Sequence, residues 1–136
     1  MRARSLPGLT LAALSTFVLL DLALRLLGID RVLRLALRRR RLPAAWSPAE
    51  GQQQARRTFA AVARATMLYY RRRQDCLPKA LATFTLLRRQ GIPSDLCFGV
   101  KKFPFSAHTW VEACGERLDD DPPRLRHYVV IHRIAG

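Results

Sequence analysis

Thiols are scarce in this chain: Cys76, Cys97 and Cys114 are the only three cysteines in 136 residues. They are too few and too widely spaced for a zinc site, so no metal is expected, and an odd number does not build a disulfide framework. A reducing, cytoplasmic compartment suits such a chain best. Acid is scarce as well, with 10 Asp and Glu against 24 Lys and Arg, a formal net charge of +14. No nucleic-acid-binding motif accompanies that charge, and the arginines are not interleaved with aromatics as a base-stacking surface requires, so no nucleic-acid partner is expected. A Walker-type phosphate loop is missing too, and no cofactor is expected. No internal repeat occurs, and low complexity is confined to the arginine clusters. The apolar stretch Leu9 to Leu20 is shorter than the roughly 20 residues of a membrane span and contains Thr10, Ser15 and Thr16. No small-residue cleavage pattern follows Leu20, which argues against a secretory signal.

What is present is one domain's worth of chain, 49 % apolar and 25 % charged, the composition of a globular protein. The charge is uneven. Residues 1–75 carry 15 Lys/Arg against 4 Asp/Glu, and residues 76–136 carry 9 against 6. The basic excess therefore belongs to the N-terminal half, where it fits an anionic membrane, an acidic partner or a plain solvated face.

Leu9 to Leu20 reads as a helix that packs on the domain or a partner, with membrane association as a second reading and a true span as a third. Asp21 and Arg25, four apart with the acid first, are expected to pair on one helical face. Leucines at 22, 26, 33 and 37 continue the helical spacing, with Gly28 as a break and Arg38 to Arg41 at the C-terminal end. Leu42 to Trp46 reads as a linker. Ser47-Pro48-Ala49-Glu50 is a capping box with proline at the first helical position. It predicts a helix to about Arg72 with Ala55, Phe59, Val62, Thr66 and Tyr69 facing the core. Asp75 is the next expected N-cap, with Cys76 opening a helix that buries Leu77, Ala80, Leu81, Phe84 and Leu87 and stops at Gly91 and Pro93.

Beyond Pro93 the period changes to two. Strands are expected around Leu96–Val100, Ala107–Ala113, Arg117–Asp120 and Tyr128–Ile134, with a tight turn at Cys114-Gly115. Helices first and an antiparallel sheet after them make the class α+β. Residues 1–46 form a helical, leucine- and arginine-rich segment, and residues 47–136 form the domain proper.

The chemistry concentrates on Cys76, His108 and the carboxylates Asp119 to Asp121. A helix N-terminus offers positive potential and free amides, which depress a thiol pKa and can hold an oxyanion. Buried packing is the bland alternative for Cys76. Cys97 in a strand and Cys114 in a turn have no helix dipole. A hairpin pivoting on Cys114 places His108 opposite Asp120, whereas a two-residue loop at Cys114-Gly115 places it opposite Asp121; one residue of register flips the face, and both remain open. Either carboxylate can orient the imidazole. His127 and His132 lack such a partner. Phe103, Phe105 and Trp110 read either as the lining of a substrate groove or as packing.

Asp75-Cys76-Leu77-Pro78-Lys79-Ala80-Leu81, Leu86-Leu87-Arg88-Arg89-Gln90-Gly91-Ile92-Pro93, Phe98-Gly99-Val100, Pro104 to Glu112 and Tyr128-Val129-Val130 together resemble one bacterial family. It is the transglutaminase-like cysteine proteases that remove the leader peptide in lasso-peptide maturation, and the likeness covers about residues 75–134. The resemblance implies a papain/transglutaminase-like core and a triad of Cys76, His108 and Asp120, with Asp119-Asp120 where the family usually has Asn-Asp, so that either aspartate can swing in. Thr109 stands where alanine is common. The family occurs fused to a small winged-helix leader-recognition domain or split from it. Residues 1–46 do not alternate as strands of such a domain would, so the split layout is expected, with a precursor peptide as substrate and a separate leader-binding protein and a lactam-forming cyclase as partners. Two other readings use the same residues: a non-catalytic basic adaptor of the same fold, and an acyltransferase that resolves the acyl-enzyme with an amine.

Overall fold

The computed structural model describes residues 6–38, 46–69, 76–119 and 121–136. Helices come first: α1 (Leu6–Leu27), α2 (Ile29–Arg38), α3 (Pro48–Tyr69) and α4 (Cys76–Arg89). The strands follow as β1 (Ser94–Lys101), β2 (Ser106–Ala113), β3 (Glu116–Leu118) and β4 (Val129–Ala135), with a 3-10 helix at Pro122–His127 before the last. The sheet is antiparallel in the order β3-β2-β1-β4. The class is α+β, as the change of period predicts.

The local signals act as expected. In the capping box the Ser47 amide donates to the Glu50 carboxylate at 3.0 Å and the Glu50 amide donates to Ser47 Oγ at 3.3 Å, so two orphan amides are satisfied reciprocally. The Asp21–Arg25 ion pair forms at 3.2 Å. Gly28 and Gly91 both take positive φ, the first breaking α1 from α2. At Gly91 the amide donates to the Arg88 carbonyl and the Ile92 amide to the Leu87 carbonyl, a Schellman ending of α4.

α4 differs from its expected single stripe, because Pro78 and every residue from Ala80 to Leu87 are buried. From Ala80 to Leu87 the helix carries no charged residue, which lets it be covered on every side. Leu81, Phe84 and Leu87 meet Leu96 and Val111 of the sheet, while Ala82 and Leu86 meet Leu9, Ala13 and Phe17 of α1 and Ala61 and Val62 of α3. Each large side chain buried this way contributes about 1.5–3 kcal/mol. The C-terminal end is pinned through Gln90: its carbonyl accepts the Trp46 indole N–H at 2.8 Å, and its side-chain oxygen accepts Gln54 and Thr58.

α3 ends at Tyr69, and its buried stripe runs through Ala55, Thr58, Ala61, Val62 and Ala65. Small residues face α1 and α4 there, while Phe59 and Thr66 are half-buried and Tyr69 is exposed. The expected continuation to Arg72, the Asp75 cap, the Leu42–Ala45 part of the linker and the Arg39–Arg41 cluster lie outside the described residues.

Candidate active site

Pairing of β2 with β3 sets the site. Val111 faces Leu118, Glu112 faces Arg117 and Ala113 faces Glu116, so the turn is the two-residue loop Cys114-Gly115. Cys114 takes φ 52 and Gly115 φ 78, the left-handed pair such a tight hairpin needs. Pairing ends at Leu118. Asp119 follows on the sheet face of His108 and Trp110, close enough along the diagonal for side chains to meet. Asp119 Oδ1 lies 2.9 Å from His108 Nε2, both side chains being largely buried. The described carboxylate at the imidazole is thus neither candidate of the simple registers. Asp120 lies outside the described residues, and Asp121 is exposed before the 3-10 helix.

Cys76 is the first residue of α4 and half-buried. Its sulfur meets the His108 imidazole and the Thr109 backbone. Asp119 occupies Nε2, which leaves Nδ1 for the thiol. Burial pushes the Cys76 pKa up, but the hydrogen bonds from His108 and the Thr109 backbone outweigh it and hold the thiol below its usual range. His108 moves the other way. Its hydrogen bond to Asp119, then that to Cys76, raise it to about 9 against the opposing effect of burial. Opposite shifts in touching groups favour a thiolate–imidazolium pair at neutral pH.

The other cysteines behave differently. Burial pushes Cys97 up to about 11, and burial also raises Cys114. His127 stands beside Arg126 in the 3-10 helix, and the His132 ring lies 6.0 Å from that of Phe98. Among the described residues no three of His, Cys, Asp and Glu come together in a way that could hold a metal ion.

Trp110 and Phe105 fall in contrasting places. Trp110 is 1 % exposed and packs with Cys97, Leu125 and Tyr128. Its ring stacks on His108 at 6.1 Å and 22°, and its N–H donates to Glu112 at 3.2 Å. Glu112 in turn accepts Arg133 at 2.8 Å. Phe105 is 77 % exposed at the β1–β2 turn. Sequence reasoning missed Tyr128 as a neighbour of the imidazole: its ring lies 5.6 Å from His108, and its hydroxyl meets Ser106 and Arg124. The only signal for that contact is Pro122-Pro123, which starts the 3-10 helix that brings Tyr128 back to the sheet.

A thiol at a helix start, an imidazole on the adjacent strand and a carboxylate behind the imidazole are the groups that an acyl-transferring cysteine centre requires. A model of the transglutaminase-like superfamily matches residues 16–133. Over 50 residues the chain is 36 % identical to the microcin J25-processing protein McjB of Escherichia coli, a stretch covering 37 % of this chain and 24 % of that protein. The chain thus spans about a quarter of the length of that curated relative. No solved structure gives a significant match.

Proposed function

The chain belongs to the transglutaminase-like superfamily, and from that premise we propose that it is a cysteine peptidase that removes the leader from a ribosomally made lasso-peptide precursor. The observation that carries this reading is the line of contacts from Cys76 through His108 to Asp119. The motifs quoted above and the likeness to a microcin-processing protein support the substrate class.

In this reading the Cys76 thiolate attacks the carbonyl carbon of the last leader residue, and free amides at the start of α4 hold the oxyanion. The tetrahedral intermediate collapses as His108 gives its proton to the leaving amine of the core peptide, leaving a thioester on Cys76. Water then adds to the thioester carbonyl, losing a proton to His108. The leader departs with a free carboxylate and the thiolate returns. Asp119 holds the imidazole and stabilises its charged form throughout; Asp120, the position implied by family resemblance, is the competing carboxylate. Phe105 is assigned to the leader, and Trp110 to support of the imidazole from beneath. Residues 47–136 carry the reacting groups, and a separate leader-binding protein and a lactam-forming cyclase are the partners.

The test is mass analysis of precursor incubated with the full chain and the leader-binding protein. Two fragments whose masses sum to precursor plus one water are expected, with no cleavage by Cys76→Ala. A leader fragment joined to an added amine would make the enzyme an acyltransferase, and undiminished cleavage by Cys76→Ala would remove the assignment.

A further inference from the structure

α1 leaves an uncharged apolar face in solvent. The residues Leu11, Leu19, Leu22 and Leu26 are each more than half exposed, and at about 100° per residue they fall, with Ser15, within an arc of about 80°. The stripe is about 22 Å long at 1.5 Å per residue. The face that packs on the domain, through Leu9, Ala13 and Phe17, lies opposite. Surface helices of globular proteins normally carry charge on the outer face. Here the charged residues of α1 are Asp21, which is buried, and Arg25, which bridges it.

Directly after the stripe comes α2, whose Arg31, Arg34 and Arg38 share an exposed face while Val32 and Ala36 are buried. Exposed leucines adjoining an arginine face are the composition of a helix pair lying in a membrane interface, with the cations at the headgroups. The 20 residues Gly8–Leu27 have a mean hydropathy of 1.8 and satisfy the length of a span. Two features oppose spanning. One face of the helix belongs to the domain core, and the Asp21–Arg25 ion pair sits in its C-terminal half.

We propose that the outer face of α1 and the arginine face of α2 dock this protein peripherally on an anionic lipid surface, in the plane of the interface. A protein partner would need acidic groups against the arginines as well as an apolar face about 22 Å long; a lipid bilayer supplies both at any orientation about its normal. The proposal does not rest on the peptidase reading.

The test is flotation of the full chain with vesicles of phosphatidylcholine alone or mixed with phosphatidylglycerol. Binding to the mixed vesicles, falling as salt rises, is expected. Arg31→Gln, Arg34→Gln and Arg38→Gln together should weaken it by about a hundredfold, at roughly fivefold for each cation at the surface. Leu19→Glu with Leu26→Glu should abolish it with the circular dichroism spectrum and melting temperature unchanged; should that variant unfold, Leu19→Gln with Leu26→Gln replaces it and should weaken binding at least tenfold. An alkaline carbonate wash should release the bound protein. Failure to float with anionic vesicles at low salt overturns the proposal. So does retention through the carbonate wash, which would mean a span, or binding indifferent to these substitutions. Loss of a protein partner by the leucine variants, without any vesicle binding by the parent, would assign the face to that partner instead.

Discussion

Gly99 faces His108 across the β1–β2 ladder, and the Trp110 indole occupies the space that a side chain at Gly99 would need. A Cβ at Gly99 would stand 2.6 Å from the indole ring and 3.2 Å from the Val129 carbonyl. The absence of one methyl group therefore lets the indole lie flat beneath the imidazole. Gly99→Ala is expected to cost about 1–3 kcal/mol of stability and to lower turnover by tilting His108. Thermal melting and precursor cleavage measure the two effects. An alanine variant with both properties unchanged would show that the indole does not hold the imidazole.

Alkylation should distinguish the three thiols. With its pKa held down by His108, Cys76 should react first with iodoacetamide near neutral pH, ahead of buried Cys97 at about 11 and of Cys114, whose pKa is raised. Peptide mapping after short labelling reads the order. His108→Ala should slow Cys76 while leaving the others as they were.

The pH profile of cleavage follows from the same pair. The active form needs thiolate and imidazolium together. Activity should fall as pH rises through about 9, where His108 loses its proton, and fall on the acid side as the thiolate is protonated, below the ordinary thiol range. Stability follows the histidine. Its folded pKa lies above the unfolded value of about 6.5, so the stabilisation is complete below about 6.5 and is lost as pH passes about 9. An initial-rate profile and melting temperatures between pH 6 and pH 10 check both limbs.

Asp119→Asn should lower kcat on the order of a hundredfold and move the alkaline limb down, since an amide cannot hold the proton on His108 as a carboxylate does. Asp120→Asn is the control. Collapse of activity in the second variant alone would transfer the role to Asp120.

Ser47→Ala removes the cap of α3 and should cost about 1 kcal/mol without changing the labelling rate of Cys76, because that cap lies in the helix layer and touches neither thiol nor imidazole.

The helices and strands were legible because their signals are local. The capping box at Ser47, the stop at Gly91 and the alternation around Leu96–Val100 each need only a few neighbouring residues. Cys76 stands out by its place at a helix start and His108 by its strand position before a carboxylate cluster, and the structure brings the two together. The carboxylate was harder. Counting across Cys114-Gly115 presumes that the ladder continues, whereas pairing stops at Leu118 and lets Asp119 reach diagonally. No residue-type signal marks where a ladder ends. Trp110 was similarly ambiguous, because an aromatic in an alternating strand does not say which face is covered; the cover comes from the 3-10 helix and Tyr128. The all-round burial of α4 needs knowledge of α1, whose place depends on the tertiary fold.

The Cys76 sulfur is mounted on the tip of a rod about 21 Å long, wedged between two layers and clamped at the other end by Trp46 and Gln90. Such a mount converts distant disturbance into misalignment at the tip. Substitutions at Trp46 or Gln54 should therefore surface as slower chemistry before they surface as unfolding, and mutational screens would find kinetic defects far from any atom that touches substrate.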